Sequence, residues 1–171
     1  MNETQKYITD IYPLSYIIRY SNVPRIKDES VAEHSFYVAA IVQKLFDEYK
    51  FKLGIALNMA ISHDIIEVYV NDIPHLIKKR YPDLAKMLKD IEKKEASGFP
   101  KSVGYGIKGL HSNSTESKIV HMADAMQCEQ YALNEISLGN SGYMESVVEH
   151  SIKRVDQIRQ EIVIYKRENA L

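Results

Sequence analysis

Four ionisable side chains interrupt stretches of sequence that otherwise have the spacing of apolar helix faces. They are His34, the adjacent pair His63 and Asp64, and the distant Asp124. A buried imidazole or carboxylate is costly unless a partner compensates it. Because three separate helices each bring such a group inward, we predict a fold in which these helices meet around one divalent cation.

Helical periodicity runs through most of the chain, and no alternating stretch predicts a strand. Ser30 followed by Glu33 matches a capping box that opens a helix, and further long helices are predicted over 53–68 and 115–138. Residues 97–114 hold four of the seven glycines, so we predict a long loop there. The fold class predicted is a single all-α domain over 1–171, an orthogonal bundle of six to eight helices.

Length, charge and cysteine content limit the possible functions. A chain of 171 residues suits one well-buried core. The formal net charge of -1 gives no strong basic field to attract nucleic acid or an acidic membrane, although a few local cations can bind a small anion. Cys128 is the only cysteine, which excludes an internal disulfide. No apolar run or signal-peptide pattern predicts a membrane or secreted location, so we expect a cytoplasmic protein.

The adjacent His63 and Asp64 are the centre of the predicted metal site. On one helix their side chains point about 100° apart, and both can reach an ion that lies between their directions. Imidazole and carboxylate together form a borderline donor set, which suits zinc, manganese, cobalt or iron better than calcium. Any one of these residues could instead be a core histidine or a helix cap. The recurrence on three helices favours a shared metal.

The order His, then His-Asp, then Asp, each on its own helix, resembles the HD-domain phosphohydrolase superfamily. Within it the chain is similar to small bacterial and phage 5'-deoxynucleotidases and deoxynucleotide triphosphohydrolases. The similarity covers residues 16–140, approximately, and its matching stretches are 19–20, 22–23, 29–35, 62–68, 71–74 and 120–125. It implies an HD domain whose metal ligands are His34, His63, Asp64 and Asp124. The cofactor implied is one divalent transition metal ion, namely cobalt, manganese or zinc.

The resemblance also implies roles for five further residues. Glu67 matches a general acid or a residue that handles the attacking water. Asp72 matches a carboxylate that positions the nucleophile or contacts the sugar. Arg19 and Lys78 match basic phosphate-binding positions. Tyr20 stands where the similar proteins carry tryptophan, and its ring can stack on the sugar or base.

Three other histidines lie between the His-Asp pair and the last aspartate, where two-metal relatives place extra ligands. His75 follows a proline turn and His111 lies in the predicted loop, so neither has the helical setting expected of a ligand. His121 precedes Asp124 by one helical turn and can act as its hydrogen-bonding partner. We therefore predict one metal ion per chain.

The predicted substrate is a small deoxynucleotide, and two reactions stay open. A nucleotidase releases phosphate from a deoxynucleoside 5'-monophosphate, whereas a triphosphohydrolase releases tripolyphosphate from the triphosphate. The basic run 78–80 favours longer phosphate chains, and the motif match favours the monophosphate. Other possibilities are a di-iron oxygenase, which needs more histidine ligands, and a non-catalytic nucleotide sensor. The resemblance also implies a homo-oligomer.

Overall fold

The computed structural model describes residues 1–168, apart from the side chains of residues 75, 76 and 168. Nine α-helices make up this part of the chain, or eight if the single-turn α4 is not counted, and it has no strand, so the all-α prediction is confirmed. The elements are α1 (Glu3–Ile11), a 3-10 turn (Tyr12–Ser15), α2 (Val31–Tyr49), α3 (Leu53–Ser62), α4 (Glu67–Val70), α5 (His75–Arg80), α6 (Pro82–Glu95), α7 (Lys101–Leu110), α8 (Thr115–Ser137) and α9 (Gly142–Glu168). The capping box predicted at Ser30 and Glu33 is present at the start of α2.

Two apolar clusters form the interior of this bundle. The larger one joins α2, α3, α8 and α9 and includes Val38, Val42, Met59, Ala60, Ile119, Met122, Val155 and Ile158. The second lies between the 3-10 turn, α2 and α7 and includes Leu14, Val31, Ile65, Ile66, Phe99, Val103 and Ile107. His34 lies on α2 between Val31 of one cluster and Val38 of the other. The metal-ligand candidates therefore lie where the two clusters meet.

The continuous helix predicted over 53–68 is wrong, because α3 ends at Ser62. The chain then turns tightly, with the Ile65 N–H donating to the Ser62 carbonyl at 3.3 Å and the Glu67 N–H donating to the Asp64 carbonyl at 3.0 Å. Four consecutive residues, 63–66, all have inward environments: two face the ionisable site and two belong to the second cluster. One helix face cannot bury four consecutive side chains, so the chain bends at the His-Asp pair.

The loop predicted over 97–114 is also wrong, because its centre forms α7. The glycines there serve close helix packing rather than turns. A Cβ at Gly106 would lie 2.6 Å from Ser62 Oγ and 2.8 Å from the Asn58 carbonyl oxygen, and one at Gly104 would lie 2.9 Å from the Ala96 carbonyl oxygen. Glycine is needed because α7 lies almost directly against the end of α3.

One stretch, Leu53–Val70, is apolar and long enough to cross a membrane by length and composition alone. In the bundle it is not a single helix, since it comprises α3, the tight turn and α4. Ala56, Met59 and Ala60 of this stretch lie in the larger cluster, and its turn carries ionisable groups. These features are those of a core element of the bundle.

Helices α8 and α9 form a long hairpin that brings one more wall to the site. The turn between them uses Gly139 with φ +102, a left-handed conformation that favours glycine. Asp124 lies near the middle of α8, and α9 returns along it. Consequently the inner face of α9 lies across from the candidate metal ligands.

Candidate metal centre and substrate cavity

Helices α2 and α8 and the turn after α3 bring the four candidate metal ligands together. His34 Nε2 lies 3.1 Å from His63 Nε2, 3.2 Å from Asp124 Oδ1 and 3.5 Å from Asp64 Oδ2. His63 Nε2 lies 3.1 Å from Asp64 Oδ2. Within the described side chains, His34, His63 and Asp124 form a cluster able to hold a metal ion, with all ligand atoms inside 4.8 Å. Asp64, the fourth ligand predicted from the sequence, adjoins this cluster through its contacts with both histidines.

Hydrogen bonds on the outer ring nitrogens orient both imidazoles. His34 Nδ1 lies 2.6 Å from Gln127 Oε1, and His63 Nδ1 lies 2.7 Å from the Ala60 carbonyl oxygen. Both oxygens can only accept, so each Nδ1 is assigned the proton, with the donor Arg19 Nη1 also 2.9 Å from His34 Nδ1. Each Nε2 therefore directs a lone pair at the shared centre, as metal-bound histidines do.

The donor set fits a cation. His34 Nε2 lies 3.1–3.5 Å from His63 Nε2 and from one oxygen of each aspartate, and His63 Nε2 lies 3.1 Å from Asp64 Oδ2. Every one of these atoms is an acceptor when the histidines are neutral, so a cation between them would satisfy all of them together. Two nitrogen and two oxygen ligands suit a transition ion of intermediate softness and leave positions for water and a phosphate oxygen.

The charges at this centre perturb its titration in the direction expected for a cation site. Burial opposes the charged form of His63, but Asp64 outweighs burial and raises the pKa of His63 to about 9. Burial likewise opposes the charge on the two aspartates. The histidines more than offset this and lower the pKa of both Asp64 and Asp124. The carboxylates therefore stay ionised and attract positive charge to the centre.

Glu67, the first residue of α4, has the environment of a proton donor. Its Oε2 is buried and is the one such side-chain atom, among the described residues, that has no hydrogen-bond partner. Burial, followed by repulsion from Asp64 and Asp72, raises the pKa of Glu67 to about 10. An unpartnered buried carboxyl is costly, and here it faces the cavity.

Tyr20 and Asp72 lie together at one end of the cavity. The Tyr20 N–H donates to Asp72 Oδ2 at 3.3 Å. The backbone of Tyr20 has φ 55, an unusual value for an aromatic residue. Its ring stacks on Tyr131 at 5.0 Å with the planes 1° apart. Strain of this kind persists where packing fixes a residue for function.

Arg19 lines the same cavity but is also held from behind. Its Nη1 donates to Glu29 Oε2 at 2.8 Å and to Gln127 Oε1 at 3.1 Å, and its Nη2 lies 3.3 Å from Cys128 Sγ. The guanidinium is therefore fixed beside the metal centre. Lys78, on α5, lines the cavity as a second cation.

The cavity has a volume of about 450 Å³. Seven of the nine residues singled out by sequence line it: Arg19, Tyr20, Asp64, Glu67, Asp72, Lys78 and Asp124. His34 and His63 lie beneath them, in contact with the two aspartates. One cavity thus brings together all nine.

Sequence reasoning missed two groups of residues. The first is Glu29 and Gln127, which hold His34 and Arg19; the placement of Gln127 one turn after Asp124 on an apolar helix was the available signal. The second is the cavity-lining face of α9, comprising Tyr143, Ser146, Val147, His150, Ser151 and Arg154. Their spacing indicates one helix face, but nothing local to α9 shows that this face meets a cavity.

The three other histidines differ in location. His111 caps α7 and lies 3.3 Å from Glu92 Oε2, in an ion pair outside the ligand cluster. His121 lines the cavity, and its Nε2 lies 3.2 Å from the Leu110 carbonyl oxygen rather than bonding to Asp124. The side chain of His75 lies outside the described residues.

The fold is that of an HD-domain phosphohydrolase. A structure of such an enzyme from Listeria innocua superposes with a TM-score of 0.75 at 19% identity, covering 96% of this chain and 85% of that one. The cyanophage S-2L HD phosphohydrolase DatZ, whose structure holds dA and one catalytic zinc ion, superposes with a TM-score of 0.67 at 15% identity over 98% of this chain and 96% of its own.

Sequence similarity then identifies the family. The profile described as 5'-deoxynucleotidase YfbR-like matches residues 6–170. A protein from Yersinia pestis (strain Pestoides F) named 5'-deoxynucleotidase is 31% identical over 147 residues, which is 78% of this chain and 75% of the relative. The chain belongs to the YfbR-like 5'-deoxynucleotidase family, and the resemblance proposed from sequence is confirmed.

Proposed function

We propose that this protein is a metal-dependent phosphohydrolase that cleaves the 5' phosphoester of deoxynucleoside monophosphates, giving a deoxynucleoside and phosphate. One observation carries the proposal: four acceptor atoms on His34, His63, Asp64 and Asp124 converge beside the buried, unpartnered carboxyl of Glu67. Family membership and the activity named for the Yersinia relative support the same reaction.

The four ligands would hold one divalent ion, with cobalt, manganese and zinc as the candidates. When bound, such an ion lowers the pKa of a coordinated water and offsets the charge that develops on phosphorus. Zinc in the cyanophage neighbour supports that member of the set. Metal content measured by mass spectrometry on protein purified without chelator is expected to give one ion per chain.

The residues around the ligands would bind substrate and move the proton. Glu67, whose pKa is raised by burial and by the neighbouring carboxylates, would donate its proton to the leaving O5' atom of the sugar. Arg19 binds phosphate oxygens with the donors that Glu29 and Gln127 leave free. Asp72 and Tyr20, which bond to each other, hold the deoxyribose at the adjoining end of the cavity.

Replacing Glu67 by glutamine tests this assignment. Glu67→Gln keeps the shape of the side chain but removes the transferable proton, so kcat is expected to fall by about 10²–10⁴-fold. The affinity for metal is expected to stay unchanged, because Glu67 is not in the ligand set. Glu149→Gln, an exposed change on α9, is the matched control. Unchanged turnover in Glu67→Gln would remove the assignment of Glu67 as the acid.

A triphosphohydrolase is the second candidate, because the cavity has more cations than a monophosphate needs. Lys78, Lys79 and Arg154 line it in addition to Arg19. The β- and γ-phosphates of a deoxynucleotide could be held by these side chains. Measuring kcat/KM for the mono- and triphosphates of all four deoxynucleosides, with detection of phosphate and tripolyphosphate, separates the two reactions.

Two further expectations complete the proposal. The protein acts in the cytoplasm on free deoxynucleotides rather than on nucleic acid, and it self-associates. The formal net charge of -1 supports small-molecule substrates over nucleic acid. Sedimentation analysis is expected to show a species larger than the 19.7 kDa monomer.

A further inference from the structure

Behind the metal centre, Glu29 and Gln127 form a buried pair that the proposed reaction does not use directly. Glu29 is 7% exposed and Gln127 is 4% exposed. Gln127 Nε2 donates to Glu29 Oε1 at 2.5 Å. A carboxylate can only accept, so this bond fixes which end of the Gln127 amide faces Glu29. The amide oxygen is then forced to point the other way.

The oxygen of Gln127 points at His34. Its Oε1 lies 2.6 Å from His34 Nδ1, and His34 is fully buried. Arg19 Nη1 also lies 2.9 Å from His34 Nδ1, but Glu29 and Gln127 accept its two hydrogens. The ring is therefore assigned its proton on Nδ1 and presents the lone pair of Nε2 to the shared centre. The Gln127 amide cannot rotate without losing its bond to Glu29. Glu29 therefore fixes the tautomer and the direction of the His34 ring through Gln127.

The same pair holds Arg19. Glu29 Oε2 accepts from Arg19 Nη1 at 2.8 Å, and Gln127 Oε1 accepts from the same atom at 3.1 Å. Both hydrogens of Nη1 are thereby used, which leaves Nε and Nη2, the latter 3.3 Å from Cys128 Sγ, for other partners. Arg19 itself is directed along the cavity wall.

We propose that Glu29 and Gln127 are positioning residues that couple the two halves of the site, orienting the metal ligand His34 and the phosphate-binding Arg19 through one hydrogen-bonded bridge. The inference rests on the proposed function, because it assigns roles relative to the metal and the phosphate. It assigns no chemistry to Glu29 or Gln127 themselves.

The bridge predicts that its two members differ in effect. Gln127→Met removes the acceptor for His34 and the longer of the two Nη1 hydrogen bonds of Arg19, at similar volume, but leaves the ion pair between Glu29 and Arg19. Cobalt(II) titration of the metal-free variant, followed by visible absorption, is expected to show a Kd raised about 10–100-fold and a changed spectrum. The KM for a deoxynucleoside monophosphate at saturating metal is expected to stay within about twofold of wild type. Glu29→Gln removes the partner of Arg19 and is expected to raise both the cobalt Kd and the KM.

An exchange of the two side chains is the sharpest test. In the double variant Glu29→Gln with Gln127→Glu, the new carboxylate can accept from His34 Nδ1, from Arg19 and from the new amide, whose oxygen can accept from Arg19. Every hydrogen bond of the bridge is restored, and the negative charge lies on residue 127 instead of residue 29. The cobalt Kd, the spectrum and the KM are therefore expected to return to within about threefold of wild type, although each single change is harmful.

Gln130→Met, the same change at an exposed position one turn further along α8, is the matched control. A cobalt Kd and spectrum for Gln127→Met that equal those of Gln130→Met would overturn the bridge while leaving the metal site intact. An exchanged variant no better than the single changes would also overturn it, and this variant decides the matter if Gln127→Met does not fold. Failure of the wild-type protein to bind cobalt would overturn the proposed function together with the bridge.

Discussion

The two walls of the cavity are built differently. One wall, here called the metal wall, is formed by α2, the turn after α3, and α8. On it the outer ring nitrogens of His34 and His63 have partners at 2.6–2.7 Å. On the opposite wall, α5 and α9 contribute side chains such as Lys79 and Ser146 that are exposed. The first wall is fixed by its own hydrogen bonds, whereas the second keeps side chains that can adapt to what enters.

This difference suggests a division of labour between chemistry and substrate choice. Removing one member of a buried hydrogen-bonded network leaves the other unsatisfied and costs about 1–3 kcal/mol. Surface substitutions outside such networks change stability by only about 0.5 kcal/mol. We therefore expect changes on the metal wall to alter metal affinity and kcat. Changes on α5 and α9 should alter KM and the preferred phosphate chain length.

The largest effect is expected from Asp124→Ala on the metal wall. The change removes a ligand from the charged centre, and losing even one electrostatic contact in an active site costs about 10²–10³-fold in kcat. We expect turnover to fall by about 10³-fold or more and cobalt binding to weaken in parallel. Asp156→Ala, at an exposed ion pair on α9, is the control. Activity above a tenth of wild type would mean that Asp124 is not a ligand.

A smaller and more selective effect is expected from Arg154→Met on the opposite wall. If Arg154 binds the outer phosphates, losing a charge-assisted hydrogen bond of about 1.5–3 kcal/mol raises the KM for a deoxynucleoside triphosphate about 10–100-fold. The KM for the monophosphate and the cobalt Kd should not change. Arg159→Met, an exposed change on the same helix, is the control. A changed cobalt affinity in Arg154→Met would show that the walls are not independent.

The same division explains what could be predicted from the sequence. The candidate ligands were identifiable because an ionisable residue on an apolar helix face conflicts with its surroundings, and such a conflict is visible in the local sequence. Arg154 and His150 lie on a polar face, where such residues are ordinary, so nothing in the sequence distinguished them. Their role depends on how α9 returns along α8, which is a tertiary property.

Both errors in the helices also have a tertiary origin. Glycines indicate a loop when only local propensity is considered, yet those of α7 allow contact with α3 that no larger side chain would permit. Similarly, apolar periodicity continues past Ser62, and only the need to bury Ile65 and Ile66 against a second cluster explains why α3 ends there.

Gly106→Ala tests whether close packing of α7 supports the metal wall. The added methyl would meet Ser62 Oγ at 2.6 Å, directly before His63. Overpacking of this kind costs about 1–3 kcal/mol, so we expect a lower free energy of unfolding in urea and a weaker cobalt affinity. Gly54→Ala on α3, where nothing lies within 4 Å of the new Cβ, is the control and is expected to stabilise by about 0.4–1 kcal/mol. Destabilisation by both changes would point to glycine flexibility instead.

The smallest effect is expected from Glu135→Gln, which tests how firmly the segment before α2 holds the bridge. The Glu135 carboxylate accepts from the Ile26 and Lys27 N–H groups at 2.7 and 2.8 Å and from Asn140 Nδ2 at 2.7 Å. Burial opposes ionisation, but these bonds outweigh it and lower the pKa of Glu135. A lowered pKa means that this stabilisation is complete above the ordinary value of 4.5 and is lost as the pH falls below it.

Glutamine in place of Glu135 keeps one acceptor but loses the charge, so we expect the free energy of unfolding at pH 7 to fall by about 1 kcal/mol. Urea unfolding from pH 7 down to pH 3.5 should show this difference from wild type shrinking towards the acidic end, because the wild-type carboxyl becomes protonated. Glu145→Gln, an exposed change on α9, should show no such trend. The segment that Glu135 anchors leads to Glu29. A parallel rise in the cobalt Kd would therefore show that the region fixing the candidate ligands reaches the C-terminal end of α8. An unchanged Kd would place the boundary of the fixed region at the bridge itself.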